Sequence, residues 1–263
     1  MANNFTYKDL VVVYEDNHII VVLKPQNVPS QADETKDMDM LTAVKQYVKV
    51  KNNKPGEAYV GLVHRLDRPT GGVMVFAKTS KAAERLCEQI KEGEFEKEYY
   101  AVVCGEPKLS KDTLTNYLKK DEKNNKVELA TMSEEGSKKA VLHYEVKESK
   151  KGYSLCKIAL ETGRSHQIRV QMAAIGCPLY GDQKYGLDHP ETFKVGKLAL
   201  WATKLSFNHP VQKDRRTFIV YPPVEEAPWK AFEVNRYLNI GVISNPYEIS
   251  RQKENLASIA TED

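Results

Sequence analysis

Gly61-Leu-Val-His-Arg-Leu-Asp-Arg-Pro-Thr-Gly-Gly72 places His64, Arg65, Asp67 and Arg68 within five positions. Tyr59, Val60, Leu62 and Val63 lie before or within its start, and the apolar run Val73-Met-Val-Phe-Ala77 follows it. Runs this short and this rich in β-branched and aromatic residues read as strands. The polar insert is therefore a loop held between two strands. Pro69 sets φ, and Gly71-Gly72 tolerates positive φ, so the backbone there is irregular. Asp67 in such a loop is a candidate nucleophile, base or metal ligand. The plainer reading makes it only the ionic partner of Arg65 or Arg68, because buried charges are usually paired.

The chain has 263 residues, enough for one large domain or two small ones. Hydrophobic residues are 41% and charged residues 29%, an ordinary balance for a soluble protein. A net charge of +3 barely favours nucleic acid, so any basic surface has to come from local clusters. Such clusters occur at 119–126, 147–151 and 213–216, and a solvated loop is the favoured reading of each. Cys87, Cys104, Cys156 and Cys177 lack C-x-x-C spacing, which gives no zinc or redox motif. Three of them sit among apolar neighbours as small core residues. No apolar run approaches the roughly 20 residues of a membrane span, and the N-terminus lacks a signal-peptide core. A reduced cytoplasmic protein is expected.

Along the chain, 11–14 and 18–23 read as a hairpin around Glu15-Asp-Asn17. Leu41, Val44, Tyr47 and Val48 predict a helix over 40–50. Ser80 is expected to cap a second helix with Ala83, Leu86, Cys87 and Ile90 on one face, ended by Gly93. A strand over 98–104 must turn Tyr99 and Tyr100 to opposite faces. Segments 114–117, 127–129, 140–146 and 153–159 read as an antiparallel meander. Ser165 is expected to cap a helix with an apolar stripe of Ile168, Met172 and Ile175, stopped by Gly176. Arg169 lies at the edge of that stripe and needs an anionic partner; a salt bridge to any nearby carboxylate satisfies it. A last helix is expected over 225–237, and the residues after 239 read as a polar tail.

Four separated strings share a resemblance. Tyr14-Glu-Asp and Ile20-Val-Val-Leu-Lys-Pro25, the His64-Arg-Leu-Asp67 loop, Phe95-Glu-Lys-Glu-Tyr-Tyr-Ala101, and Glu161-Thr-Gly-Arg-Ser-His-Gln-Ile-Arg-Val-Gln171 stand in the order of the RluA-type pseudouridine synthases. Pro178-Leu-Tyr-Gly-Asp-Gln-Lys-Tyr-Gly186 and the pair of strings around Leu198-Ala202 and Lys204-Pro210 resemble later elements of that family. Gly71 stands where the family usually has Ser, Ser165 where it has Thr, and Gln171 and Trp201 where it has His.

The resemblance implies an α+β fold: a mixed, mostly antiparallel sheet with flanking helices and a central cleft. It implies a catalytic domain over 11–238, an N-terminal extension over 1–10, a tail over 239–263, and no S4 domain. It implies isomerisation of specific uridines in rRNA or tRNA by a catalytic Asp67, with Tyr99 in the active site and Arg169 as the basic partner of Asp67. Arg65 matches the arginine that enters the RNA stack. His64, Arg164 and His166 are expected to touch RNA, and Leu200 to pack in the uridine pocket. Asp182 is expected to organise a turn. The reaction needs no cofactor and no metal; RNA is the implied partner, a membrane is not, and the protein is expected to be a monomer. Two alternatives compete. A metal-dependent nuclease or hydrolase built from Asp67, His64, His166 and Asp182 lacks closely spaced ligand pairs. A catalytically silent RNA-binding or RNA-folding protein of the same fold is disfavoured by intact Asp67, Tyr99 and Arg169.

Overall fold

A computed structural model describes residues 4–53 and 56–238. The expected tail over 239–263 lies outside the described residues. The fold is α+β, with a mixed, mostly antiparallel sheet and a few helices. Its described residues group into two compact units, 4–95 with 203–221, and 96–202 with 222–238.

In the first unit, β1 (Val11–Glu15) and β2 (Ile19–Lys24) form the expected hairpin. Asp16 closes its turn by accepting from the His18 and Ile19 amides at 2.7 and 2.9 Å. α1 (Met40–Lys51) is capped by the Asp39 side chain and buries Met40, Ala43, Val44 and Val48. β3 shrinks to Gly61–Leu62, and β4 (Gly71–Ala77) runs antiparallel to β2 from Lys24↔Gly72 to Ile19↔Ala77. The expected loop therefore ends one residue before the glycines, which open β4. Every residue of β4 is buried, as are Ile19 to Val22 of β2. Burial on both faces explains why these strands read as continuous apolar runs without alternation.

α2 (Ser80–Glu92) begins one residue earlier than expected: Thr79, not Ser80, is the cap, accepting from the Ala82 amide at 3.2 Å. Its buried face is Ala82, Leu86 and Gln89, with Cys87 exposed. The expected stripe is displaced because Gln89 is held inward. Its amide donates to the Asn208 carbonyl and accepts from the Asn208 amide, both at 2.8 Å, as a strand neighbour does.

The second unit contains β5 (Glu96–Cys104), β6 (Lys111–Asp121), β7 (Lys126–Ala130), β8 (Lys138–Lys150) and β9 (Tyr153–Leu160). They lie in the order β5-β9-β8-β6-β7, antiparallel throughout. The meander was expected, but its strands are longer, because their polar ends keep pairing where apolar alternation stops. Lys151 at φ 52° and Gly152 at φ 78° make the β8–β9 turn, both left-handed as a tight hairpin requires. α3 (Gln167–Ala174) packs Val170 against Leu118, Val127 and Ala140. Gln171 ties α3 to the sheet, donating to the Leu114 carbonyl at 3.1 Å and to Asn116 Oδ1 at 2.7 Å. Ser165 is not the cap of α3. His166 is, in a left-handed conformation at φ 52°, and without a side-chain capping bond.

Cys104, Cys156 and Cys177 are buried; burial pushes the Cys104 thiol up to about 11 and the Cys156 thiol up to about 12, as for inert packing groups. β10 (Leu200–Asn208) leads back into the first unit and pairs with β11 (Arg215–Ile219). The helix expected over 225–237 is broken. A 3-10 turn at Trp229–Ala231, an extended Phe232 and a short α4 (Val234–Tyr237) replace it. Pro228 inside the expected helix removes a backbone donor, which the helical spacing alone did not weigh.

Candidate active site

The segment Lys24-Pro-Gln-Asn-Val-Pro-Ser30 grips the Asp67 loop through its backbone. Lys24 is fully buried, and its ammonium donates to the carbonyls of Pro25 at 3.1 Å, Arg68 at 3.0 Å and Thr70 at 2.6 Å. Gln26 donates to the Pro69 carbonyl at 3.0 Å, and the Asn27 amide to the Arg68 carbonyl at 2.8 Å. Ser30 Oγ donates to the Leu66 carbonyl at 2.7 Å and accepts from the Leu66 amide at 3.1 Å. The Thr70 amide closes a turn onto the Asp67 carbonyl at 2.9 Å. The loop backbone on both sides of Asp67 is thus fixed, which is what holding a reactive group in place requires.

Asp67 itself is half-buried. Burial pushes the Lys24 ammonium down to about 7; the negative charge of Asp67 opposes that shift and the positive charge of Arg68 adds to it. Sequence reasoning passed over Lys24. Its signal was a lysine closing an otherwise apolar strand. Arg68 is held by Asp37 and, at 3.2 Å, by Asp33, with Thr35 Oγ1 at 2.8 Å. Arg65 is exposed. The reading of Asp67 as the mere ionic partner of Arg68 therefore loses its partner to the carboxylates of 33 and 37. His64 is 9% exposed. Its Nε2 accepts from the Val75 amide at 3.1 Å, and its ring packs on Phe95 at 5.4 Å between centroids. The ring expected at RNA is thus built into the core, where it ties the loop entry to β4.

In the second unit, Tyr99 is buried at 6% exposure and faces Ile158 across the β5–β9 register. Tyr100 points the other way. It is 1% exposed, its hydroxyl donates to the Tyr237 carbonyl at 3.1 Å, and burial raises its pKa. Arg169 is buried and makes a two-pronged ion pair with Asp182, Nε to Oδ2 at 2.7 Å and Nη2 to Oδ1 at 2.6 Å. Its guanidinium also lies over the Tyr185 ring at 5.1 Å. Asp182 Oδ1 further accepts from the Lys184 and Tyr185 amides at 2.9 and 3.1 Å. This is the turn-organising role expected of Asp182, and it fixes one edge of the Arg169 fork. Gly181, at φ 74°, keeps that turn possible, since a Cβ there would collide with the Lys197 carbonyl.

The Tyr185 hydroxyl accepts from the Val127 amide at 2.8 Å and shares a hydrogen bond with His166 Nδ1 at 2.8 Å. Arg164 is exposed, with Nε donating to the Lys139 carbonyl at 3.0 Å. Leu200 is 3% exposed in β10. The metal-hydrolase alternative needs His64 and Asp182 as ligands, and both are committed elsewhere: His64 to the Val75 amide, Asp182 to Arg169. Among the described residues, no group of three or more His, Cys, Asp or Glu side chains is arranged to hold a metal ion. Nor is any helix among them long and apolar enough to cross a membrane.

The chain has known counterparts. Residues 18–174 match the family model described as RNA pseudouridylate synthase. A ribosomal large subunit pseudouridine synthase D of Zymomonas mobilis is 34% identical over 210 residues, covering 77% of this chain and 66% of the relative. The uncharacterized RNA pseudouridine synthase YhcT of Bacillus subtilis is 32% identical over 207 residues, covering 78% and 66%. The chain thus spans just under two thirds of the length of these relatives. The solved structure of human RNA pseudouridylate synthase domain containing 4 shares the fold with a TM-score of 0.67 at 22% identity, covering 81% of this chain and 88% of that one. The chain belongs to the RNA pseudouridylate synthase family.

Proposed function

We propose that this protein isomerises uridines in structured RNA to pseudouridine, with Asp67 as the catalytic carboxylate. The observation that carries this is the loop itself: its backbone is held by Lys24, Gln26, Asn27 and Ser30, while its neighbouring arginine Arg68 is held by other carboxylates. The reaction breaks the bond from ribose to N1 of uracil, turns the base, and rejoins it through C5. Atoms and electrons are conserved, so the residues need only provide a nucleophile or base, a positive charge and a proton relay. Asp67 serves as the nucleophile or base and works as a carboxylate anion, which nearby positive charge stabilises. The ammonium of Lys24 is one compensating charge. Arg169 is assigned as the other, its orientation set by Asp182.

Tyr99 is assigned to stack on the uracil and to take part in proton transfer after rearrangement. A uridine in folded RNA has to leave its stack first, at a cost of a few kcal/mol. Arg65, exposed and planar, is suited to fill the vacated space. Arg164 and His166 are assigned to RNA and Leu200 to the wall of the uridine pocket. The proposal takes the protein as a cytoplasmic monomer whose partner is RNA. Relatives named for the ribosomal large subunit favour rRNA as the substrate class, with tRNA as the competing outcome. Pseudouridine mapping in total RNA, incubated with the purified protein with and without chelator, tests the reading. New pseudouridines at defined positions in both samples support it, and none in either overturns it. Formation that stops in chelator on a prefolded RNA, and returns with a divalent ion, would instead favour the hydrolase-type site.

A further inference from the structure

Lys97 stands two residues before Tyr99 on β5. Side chains alternate along a strand, so the two share a face, roughly 6–7 Å apart along it. Lys97 is half-buried. Its pKa is lowered from the ordinary lysine value with burial as the only cause, so no carboxylate offsets the loss of water. Other lysines of the same sheet are treated differently. Lys157 pairs with Glu98 at 3.0 Å, and Lys147 with Glu145 at 2.8 Å.

The ammonium also has a seat prepared for it. A Cβ on Gly163 would lie 3.1 Å from Lys97 Nζ, closer than such contacts normally come. The missing side chain at 163 therefore leaves room for the charge, directly before the exposed Arg164. A cation that is partly stripped of water and held in a shaped place costs stability unless an anion completes it. On a Tyr99-bearing face, and resting on the RNA reading above, the anion available is the RNA backbone. We propose that Lys97 binds the phosphodiester adjoining the uridine received by Tyr99. It is a substrate-binding residue that places the nucleotide, with no part in bond making.

The test is equilibrium binding of a uridine-bearing RNA stem-loop to wild type, Lys97→Met and Lys97→Arg across a salt series, with melting temperatures alongside. Neutralising one phosphate contact lowers the slope of log affinity against log salt by about 1. Lys97→Met should bind about tenfold more weakly at low salt, with the slope reduced by about 1. Lys97→Arg should recover most of both. The melting temperature of Lys97→Met should be equal to or above wild type, since an uncompensated charge has been removed. Equal affinity and slope for wild type and Lys97→Met would overturn the role of Lys97 while leaving the RNA reading intact. So would a fall in melting temperature with unchanged slope, the mark of a structural lysine. Failure of all three proteins to bind at any salt would overturn the RNA reading and the Lys97 role with it.

Discussion

Tyr99 and Tyr100 are neighbours in sequence and opposites in the sheet. Tyr100→Phe removes the hydroxyl that donates to the Tyr237 carbonyl. It should cost about 0.5–1.5 kcal/mol of stability and leave turnover near wild type. Tyr99→Phe should fold and bind RNA but form product very slowly. A severe turnover defect at Tyr100 with none at Tyr99 would reverse the assignment. The alternation that separates these residues was readable in the sequence. The partner of Tyr100 was not, because Tyr237 lies 137 positions away. Arg169 shows the same limit: the need for an anionic partner was legible, but its identity as Asp182 was not. Arg169→Met leaves Asp182 buried and unpaired, and should destabilise by about 3–5 kcal/mol. Asp182→Asn, which breaks the same pair from the other side, should also lower the melting temperature. The two differ in catalysis. Loss of the Arg169 charge should sharply lower the single-turnover rate of the folded protein, whereas Asp182→Asn, which keeps that charge, should retain more of it. Equal single-turnover rates for wild type and folded Arg169→Met would restrict Arg169 to structure.

Among the elements, β2 and the segment after it matter most, because they carry the brace for the Asp67 loop. β2 and β4 were legible as apolar runs, and the loop between strands as their polar interruption. The brace was not legible, since it is made of backbone carbonyls that no residue type announces. The inward Gln89 of α2 has the same origin: it serves Asn208, a distant strand end that helical spacing does not contain. Lys24 makes the brace testable by pH. Its folded pKa of about 7 lies below the unfolded lysine value of about 10.4, so the unfolded chain binds the extra proton between them. Stability from this group is therefore lowest below pH 7 and rises as pH climbs from about 7 to 10. Chemical denaturation of wild type and Lys24→Met over that range should show wild type gaining on the variant, by at most about 1.4 kcal/mol per pH unit. A constant difference across the range would mean that Lys24 keeps an ordinary pKa and is not a desolvated charge.

At the scale of the whole molecule, the order of the motifs is legible in the sequence and points to the family, because each string is local and its backbone demands are local. The division into two compact units was not visible: β5 and β10 read as ordinary strands, and nothing in their composition marks a boundary. The central claim rests on one side chain. Asn replaces the Asp67 carboxylate with nearly the same shape but without the negative charge, so the brace from Lys24, Gln26, Asn27 and Ser30 should persist. The direct test is pseudouridine formation under single-turnover conditions by wild type and Asp67→Asn, with RNA affinity and melting temperature measured on the same preparations. The expected result is no detectable product from Asp67→Asn, with affinity and melting temperature close to wild type. Product formation at as much as a tenth of the wild-type rate would contradict the assignment of Asp67 as the catalytic carboxylate.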